Sequence, residues 1–140
     1  NLINETDYVF KVYEYFNEIF NLKSVAIRNI SQGNRYELFE KIKEFVDNNY
    51  DKDLKMQDVA SYFSISVPYF CTRFKEYTNM SYKDYLKSKR MKAARELLET
   101  SDMKVTDIAR VVGYSDEKYF HKVFKSVFCI TPNEYREKKA

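Results

Sequence analysis

The sequence predicts an all-α protein, and three observations carry that prediction. Apolar residues return at steps of three and four along most of the chain, the spacing that lines one face of a helix. Only two glycines and two prolines occur in 140 residues, so breaks between elements are few and short. A set of capping and aromatic residues in positions 56–85 returns about fifty positions later, as expected of two copies of one helical unit. The expected architecture is two such units joined by a long connecting helix, preceded by an N-terminal helix and a linker.

Asp7–Phe20 reads as a helix because Val9, Val12, Tyr13, Phe16 and Phe20 form a stripe. Tyr8, Phe10, Tyr15 and Ile19 make its other faces apolar too, so it should be covered by the rest of the chain, by another domain or by a second copy. Asn21–Arg35 has no clear period and ends in the loop signal Ser31-Gln32-Gly33-Asn34. Residues 1–35 are therefore expected to be the partly helical tail or linker of a separate regulatory domain. A chain starting at Asn1 rather than Met is expected to come from a longer protein. Residues 36–140 are expected to form the main domain.

That domain opens with a helix over Tyr36–Asn49, with Leu38, Ile42, Phe45 and Val46 inward. The first unit, about 56–79, places Val59, Ala60 and Phe63 before the Ser64-Ile65-Ser66 turn. Ser66 then caps a helix that tolerates Pro68 in its first turn and turns Phe70 and Phe74 inward. The connecting helix, about 82–100, buries Tyr85, Leu86, Ala93, Ala94, Leu97 and Leu98, with Lys83, Lys87, Lys89 and Lys92 on its outer faces. Arg90 falls on the apolar stripe and reads as a paired structural arginine. The second unit, about 105–128, has a short helix over 105–112 and a turn at Gly113. Ser115 is the expected cap of the next helix, Asp116 and Glu117 its acidic first turn, and Phe120 and Phe124 its inner pair. Thr131-Pro132-Asn133-Glu134 is a capping box with proline at the first helical position.

Asp58-Val59-Ala60 recurs as Asp107-Ile108-Ala109, and Ser66 as Ser115, 49 positions on. After one inserted residue the offset is 50: Tyr69-Phe70 matches Tyr119-Phe120, Phe74-Lys75 matches Phe124-Lys125, Ser81 matches Thr131 and Tyr85 matches Tyr135. Each copy is a short helix carrying a small Ala60 or Ala109, a turn and a capped helix. That is the make-up of a helix-turn-helix, whose second helix can enter a DNA major groove. Charge agrees in direction. Residues 1–50 carry 6 basic and 8 acidic side chains, against 18 and 13 in residues 51–140, so the basic excess lies with the repeat.

On these residues, 40–138 resemble the DNA-binding domain of AraC/XylS-type bacterial transcription regulators. The matches are Asp107-Ile108-Ala109, Gly113-Tyr114, Tyr119-Phe120, Phe124-Lys125, Thr131-Pro132 and Tyr135-Arg136, and in the first copy Val59-Ala60, Ser66, Phe74-Lys75, Tyr85, Arg90 and Ala94. The resemblance implies seven helices, two helix-turn-helix units and transcriptional control, usually activation, in the bacterial cytoplasm. Double-stranded DNA and RNA polymerase are the implied partners. A homodimer is a further implied partnership, formed through the N-terminal segment or a domain not present here. Two positions depart from the pattern, with Asn79 and Cys129 standing where the family commonly has glycine. Asn tolerates a left-handed backbone, whereas Cys129 should cost roughly 1 kcal/mol there, unless the turn differs.

With the phenylalanines inward, the candidate DNA-facing residues are Pro68, Tyr69, Cys71, Thr72 and Lys75 on the first recognition helix. Their counterparts on the second are Glu117, Lys118, His121, Lys122 and Lys125. The resemblance implies base-edge contacts at Cys71, Thr72, His121 and Lys122. Lys122 suits a guanine or a phosphate, and Cys71 and Thr72 suit apolar contact with thymine methyls. Arg73 has two readings, a base reader or an intramolecular ion pair. No metal cluster, phosphate-cradling glycine loop or Ser-His-Asp set is present, so neither catalysis nor a cofactor is expected. No apolar run approaches the roughly 18 residues of a membrane span. The alternative is a helical protein-interaction module without DNA binding.

Overall fold

The computed structural model describes residues 33–139, together with Val12 and Tyr15, which are helical and exposed. The rest of the expected Asp7–Phe20 helix, and the linker up to residue 32, lie outside the described residues. Seven helices and no strand are found among the described residues: α1 Gly33–Asn49, α2 Met56–Tyr62, α3 Val67–Thr78, α4 Tyr82–Thr100, α5 Val105–Val111, α6 Glu117–Phe128 and α7 Pro132–Lys139. The first of these begins at Gly33, ahead of the expected Tyr36, so Gly33 and Asn34 do not form the loop expected of them.

Local chemistry sets most boundaries. Ser66 accepts the Tyr69 amide to start α3, and Ser81 accepts the Asp84 amide to start α4. Thr131 and Glu134 complete the capping box of α7: the Thr131 amide donates to Glu134 Oε2 at 2.8 Å, and the Glu134 amide to Thr131 Oγ1 at 3.2 Å. That pairing holds the Glu134 carboxyl below its ordinary range. At α6 the expected cap is corrected. Asp116, not Ser115, accepts the Tyr119 amide, at 3.2 Å. The turn from Gly113 to Asp116 is one residue longer than that from Ser64 to Ser66, and this moves the cap to an offset of 50.

The buried residues fall into two clusters with no common member. The first joins Phe39, Ile42 and Val46 of α1 to Val59, Phe70, Phe74, Tyr82 and Tyr85. The second joins Met91, Ala94 and Leu98 of α4 to Ile108, Phe120, Phe124, Phe128 and Tyr135. Helix α4 therefore closes the first cluster with its N-terminal half and founds the second with its C-terminal half. Phe74 meets Tyr85 edge-on at 5.3 Å, and Phe124 meets Tyr135 edge-on at 5.8 Å. Each tyrosine hydroxyl donates to a carboxylate on the helix that precedes its unit, Tyr85 to Asp47 and Tyr135 to Glu99. Burial and the Asp47 carboxylate push the Tyr85 phenol far up, so it stays a protonated donor.

Candidate nucleic-acid interface

Two turns aim the second helix of each unit. After α2 the chain reverses at Ser64, φ 55°, and Ile65 donates its amide back to Ala60 at 2.9 Å. After α5 it reverses at Gly113, φ 109°, and Tyr114 donates to Ala109 at 2.8 Å. Ala60 and Ala109 are buried at these closures, where a larger side chain would hold the helices apart. Phe70, Phe74, Phe120 and Phe124 are fully buried, so the opposite faces of α3 and α6 point to solvent.

On α3, Pro68, Cys71, Thr72 and Lys75 are exposed and follow one another at steps that keep them on a single face. Tyr69 departs from that face. It is half-buried, with its ring 6.1 Å from Phe39 of α1. Arg73 lies over the Tyr69 ring and pairs with Glu76 at 2.7 Å, so the ion pair of its two readings is formed in this structure. The Cys71 thiol rests 2.9 Å from the Met56 sulfur.

On α6, Lys118, Lys122 and Lys125 are exposed, and half-buried His121 continues the same face. Among the described residues none of these lysines has a carboxylate within ion-pair distance, nor does Lys75. Glu117 is exposed one turn before His121, at the edge of the same face. Its Oε1 accepts from Thr106 Oγ1 at 3.0 Å and lies 3.5 Å from His121 Nε2, so it anchors the start of α6 to α5 and steadies the imidazole. Thr106 was not legible as a supporting residue, because its partner lies 11 positions away across the turn. The arrangement offers a positive ridge on α6 and a short, weakly polar ridge on α3, one at each end of a connector of 19 residues. At 1.5 Å per residue that connector is about 28 Å long. Among the described residues no helix is long and apolar enough to cross a membrane.

Two capped helices, each set by a tight turn on one repeated scaffold, define a double helix-turn-helix domain. A family model described as a helix-turn-helix domain matches residues 59–138. The chain belongs to this family. Regulatory protein PocR of Salmonella typhimurium is 38% identical over 98 residues, covering 70% of this chain and 32% of that protein. The lactose operon transcription activator of Staphylococcus xylosus is 34% identical over 128 residues, covering 91% of this chain and 43% of that protein. Among solved structures, the C-terminal domain of the two-component response regulator yesN from Fusobacterium nucleatum is 33% identical with a TM-score of 0.68, covering 69% of this chain and 95% of that one. The chain thus spans less than half the length of these two curated relatives. Fold and family together make it a helix-turn-helix domain, and relatives it resembles are named as a regulatory protein and a transcription activator.

Proposed function

We propose that this chain reads DNA sequence with both units, laying α3 and α6 into successive major-groove segments on one face of the duplex. The observation that carries this reading is the recurrence of one exposed face on one scaffold at the two ends of α4. The length of α4, about 28 Å, is of the order of the roughly 34 Å between major-groove segments one turn apart. Helix α6 does most of the hydrogen-bonded reading, through Lys122 and His121, with Lys118 and Lys125 toward phosphates. Helix α3 reads by apolar contact through Cys71 and Thr72, beside Pro68, with Lys75 toward a phosphate. Tyr69 and Glu117 support these helices rather than touching bases.

The wider role is activation of transcription in the bacterial cytoplasm, without catalysis or a cofactor. It would involve RNA polymerase and a second copy of the protein as partners and a regulatory domain joined through residues 1–35. The activator among the relatives supports that direction. Selection of bound sequences from a random duplex pool tests the reading. Two short motifs about one helical turn apart are expected. A single motif would leave only one unit reading bases, and no binding even at low salt would favour the protein-interaction module.

A further inference from the structure

Arg90 stands midway along α4, between the two buried clusters, and its guanidinium engages both units. Toward the first unit, Nε donates to the Tyr50 carbonyl at 2.7 Å and Nη2 to the Lys52 carbonyl at 2.8 Å, fastening the loop that joins α1 to α2. Toward the second, the guanidinium carbon lies 5.2 Å from the centre of the Tyr114 ring, in the turn that aims α6. Gly113 makes room for it. A Cβ there would lie 2.8 Å from Nε and 2.9 Å from the guanidinium carbon, and the backbone at φ +109° already excludes most side chains. The planar fork of arginine suits this place because one edge meets two carbonyls while the face meets a ring, which a lysine ammonium cannot copy.

We infer that Arg90 is a positioning residue that locks the rotation of one helix-turn-helix unit about α4 relative to the other, and so sets the half-site spacing the domain accepts. The two clusters have no common residue and α4 contributes to both, so contacts that reach across from one unit to the other beside α4, as those of Arg90 do, restrain their relative rotation. The link between rotation and spacing is geometric. Each inserted base pair shifts a half-site along the duplex and turns it by about 34°, one step of a turn of 10–10.5 base pairs. The spacing consequence rests on the proposed reading by both units; the lock itself does not.

Two measurements on the 140-residue chain separate these parts. Cys71 and Cys129, one in each unit, are free and exposed, and spin labels on them report the distance between units without DNA. The wild-type chain should give one narrow distance distribution and Arg90→Leu a broadened one, with Arg90→Lys failing to restore the width. On duplexes built from the selected sequence, unlabelled wild type should lose at least tenfold in affinity when one base pair is inserted between half-sites. Arg90→Leu should lose threefold or less, while its binding to a duplex with a single half-site stays within twofold of wild type. A folded Arg90→Leu with an unchanged distance distribution and an unchanged spacing penalty overturns the lock. Broadening with an unchanged penalty overturns the role in spacing. Should Arg90→Leu not fold, Tyr114→Leu removes the ring contact and is judged by the same two readouts. If wild type binds no duplex, the DNA reading fails and the distance distribution alone decides the lock.

Discussion

Tyr69 and Tyr119 occupy equivalent positions in the two units and meet different surroundings. Tyr69 leans on Phe39 of α1, whereas Tyr119 keeps 50% of its surface exposed and touches Tyr114. The cause lies in the helix behind each unit. Phe39, Ile42, Val46 and Asp47 of α1 correspond to Met91, Ala94, Leu98 and Glu99 of α4, each 52 positions later. The apolar residues are buried in both sets, and both acids receive a tyrosine hydroxyl, but only α1 offers a ring at the first position. Each unit is thus three helices closed by a fourth, with α4 serving as last helix of one and first of the next. The interior is alike in the two units while the outer faces of α3 and α6 differ, so the interior makes the fold, and on the proposed reading the outer faces would make the two units unequal readers.

Equality inside is tested by the largest effect. Phe74→Ala and Phe124→Ala should each destabilise the chain by about 3–5 kcal/mol, because both rings are fully buried against an edge-on tyrosine. Chemical melting measures the size, and amide exchange should show the greater loss of protection in the unit that carries the change. Normal melting of Phe124→Ala would rule out its core role.

Inequality outside comes next in size. Lys122→Ala should weaken binding to the selected duplex by about 1–3 kcal/mol if the ammonium contacts a base. Thr72→Ala, at the equivalent position of α3, should cost below about 1 kcal/mol, the scale of burying one methyl group. Titrations at several salt concentrations separate the roles of Lys122. An unchanged sequence preference with a shallower salt dependence would make it a phosphate contact.

The caps give a smaller effect and show where the sequence was readable. The bounds of α4 and the inward phenylalanines were legible because spacing and caps are local signals. So was the capping box of α7, in which Thr131 and Glu134 are three positions apart. The α6 cap was misplaced by one residue, since Ser115 and Asp116 are both good caps and the choice depends on a turn length that spacing does not reveal. Three features were out of reach for another reason. The extension of the repeat into α1, the anchoring of Glu117 by Thr106, and the tyrosine–carboxylate bonds across 38 and 36 positions all depend on tertiary packing. The chain accordingly distinguishes two neighbouring substitutions. Asp116→Ala should cost about 1 kcal/mol in melting, as loss of a cap does, and Ser115→Ala close to nothing. A greater cost for Ser115→Ala than for Asp116→Ala would return the cap to Ser115.

The smallest expected effect concerns how each reading helix ends. Asn79 closes α3 at φ 59° and Cys129 closes α6 at φ 67°, each with its amide donating at 2.8 Å to Lys75 or Lys125. The turn anticipated from the family's glycine is therefore kept, and Cys129 bears the left-handed backbone. A side chain held there costs about 1–2 kcal/mol, less for Asn, whose short polar side chain can bond locally. Glycine removes that cost but adds back about 0.4–1 kcal/mol through the freedom of its unfolded chain. The exposed Cys129 thiol has little packing to lose. Cys129→Gly should therefore stabilise the chain by about 0.5–1 kcal/mol, while Asn79→Gly should change it by a few tenths at most. Melting of the two variants side by side decides the matter. If Cys129→Gly gains no more than Asn79→Gly, the two closing turns are equally relaxed, and the asymmetry of the units is confined to the faces they present.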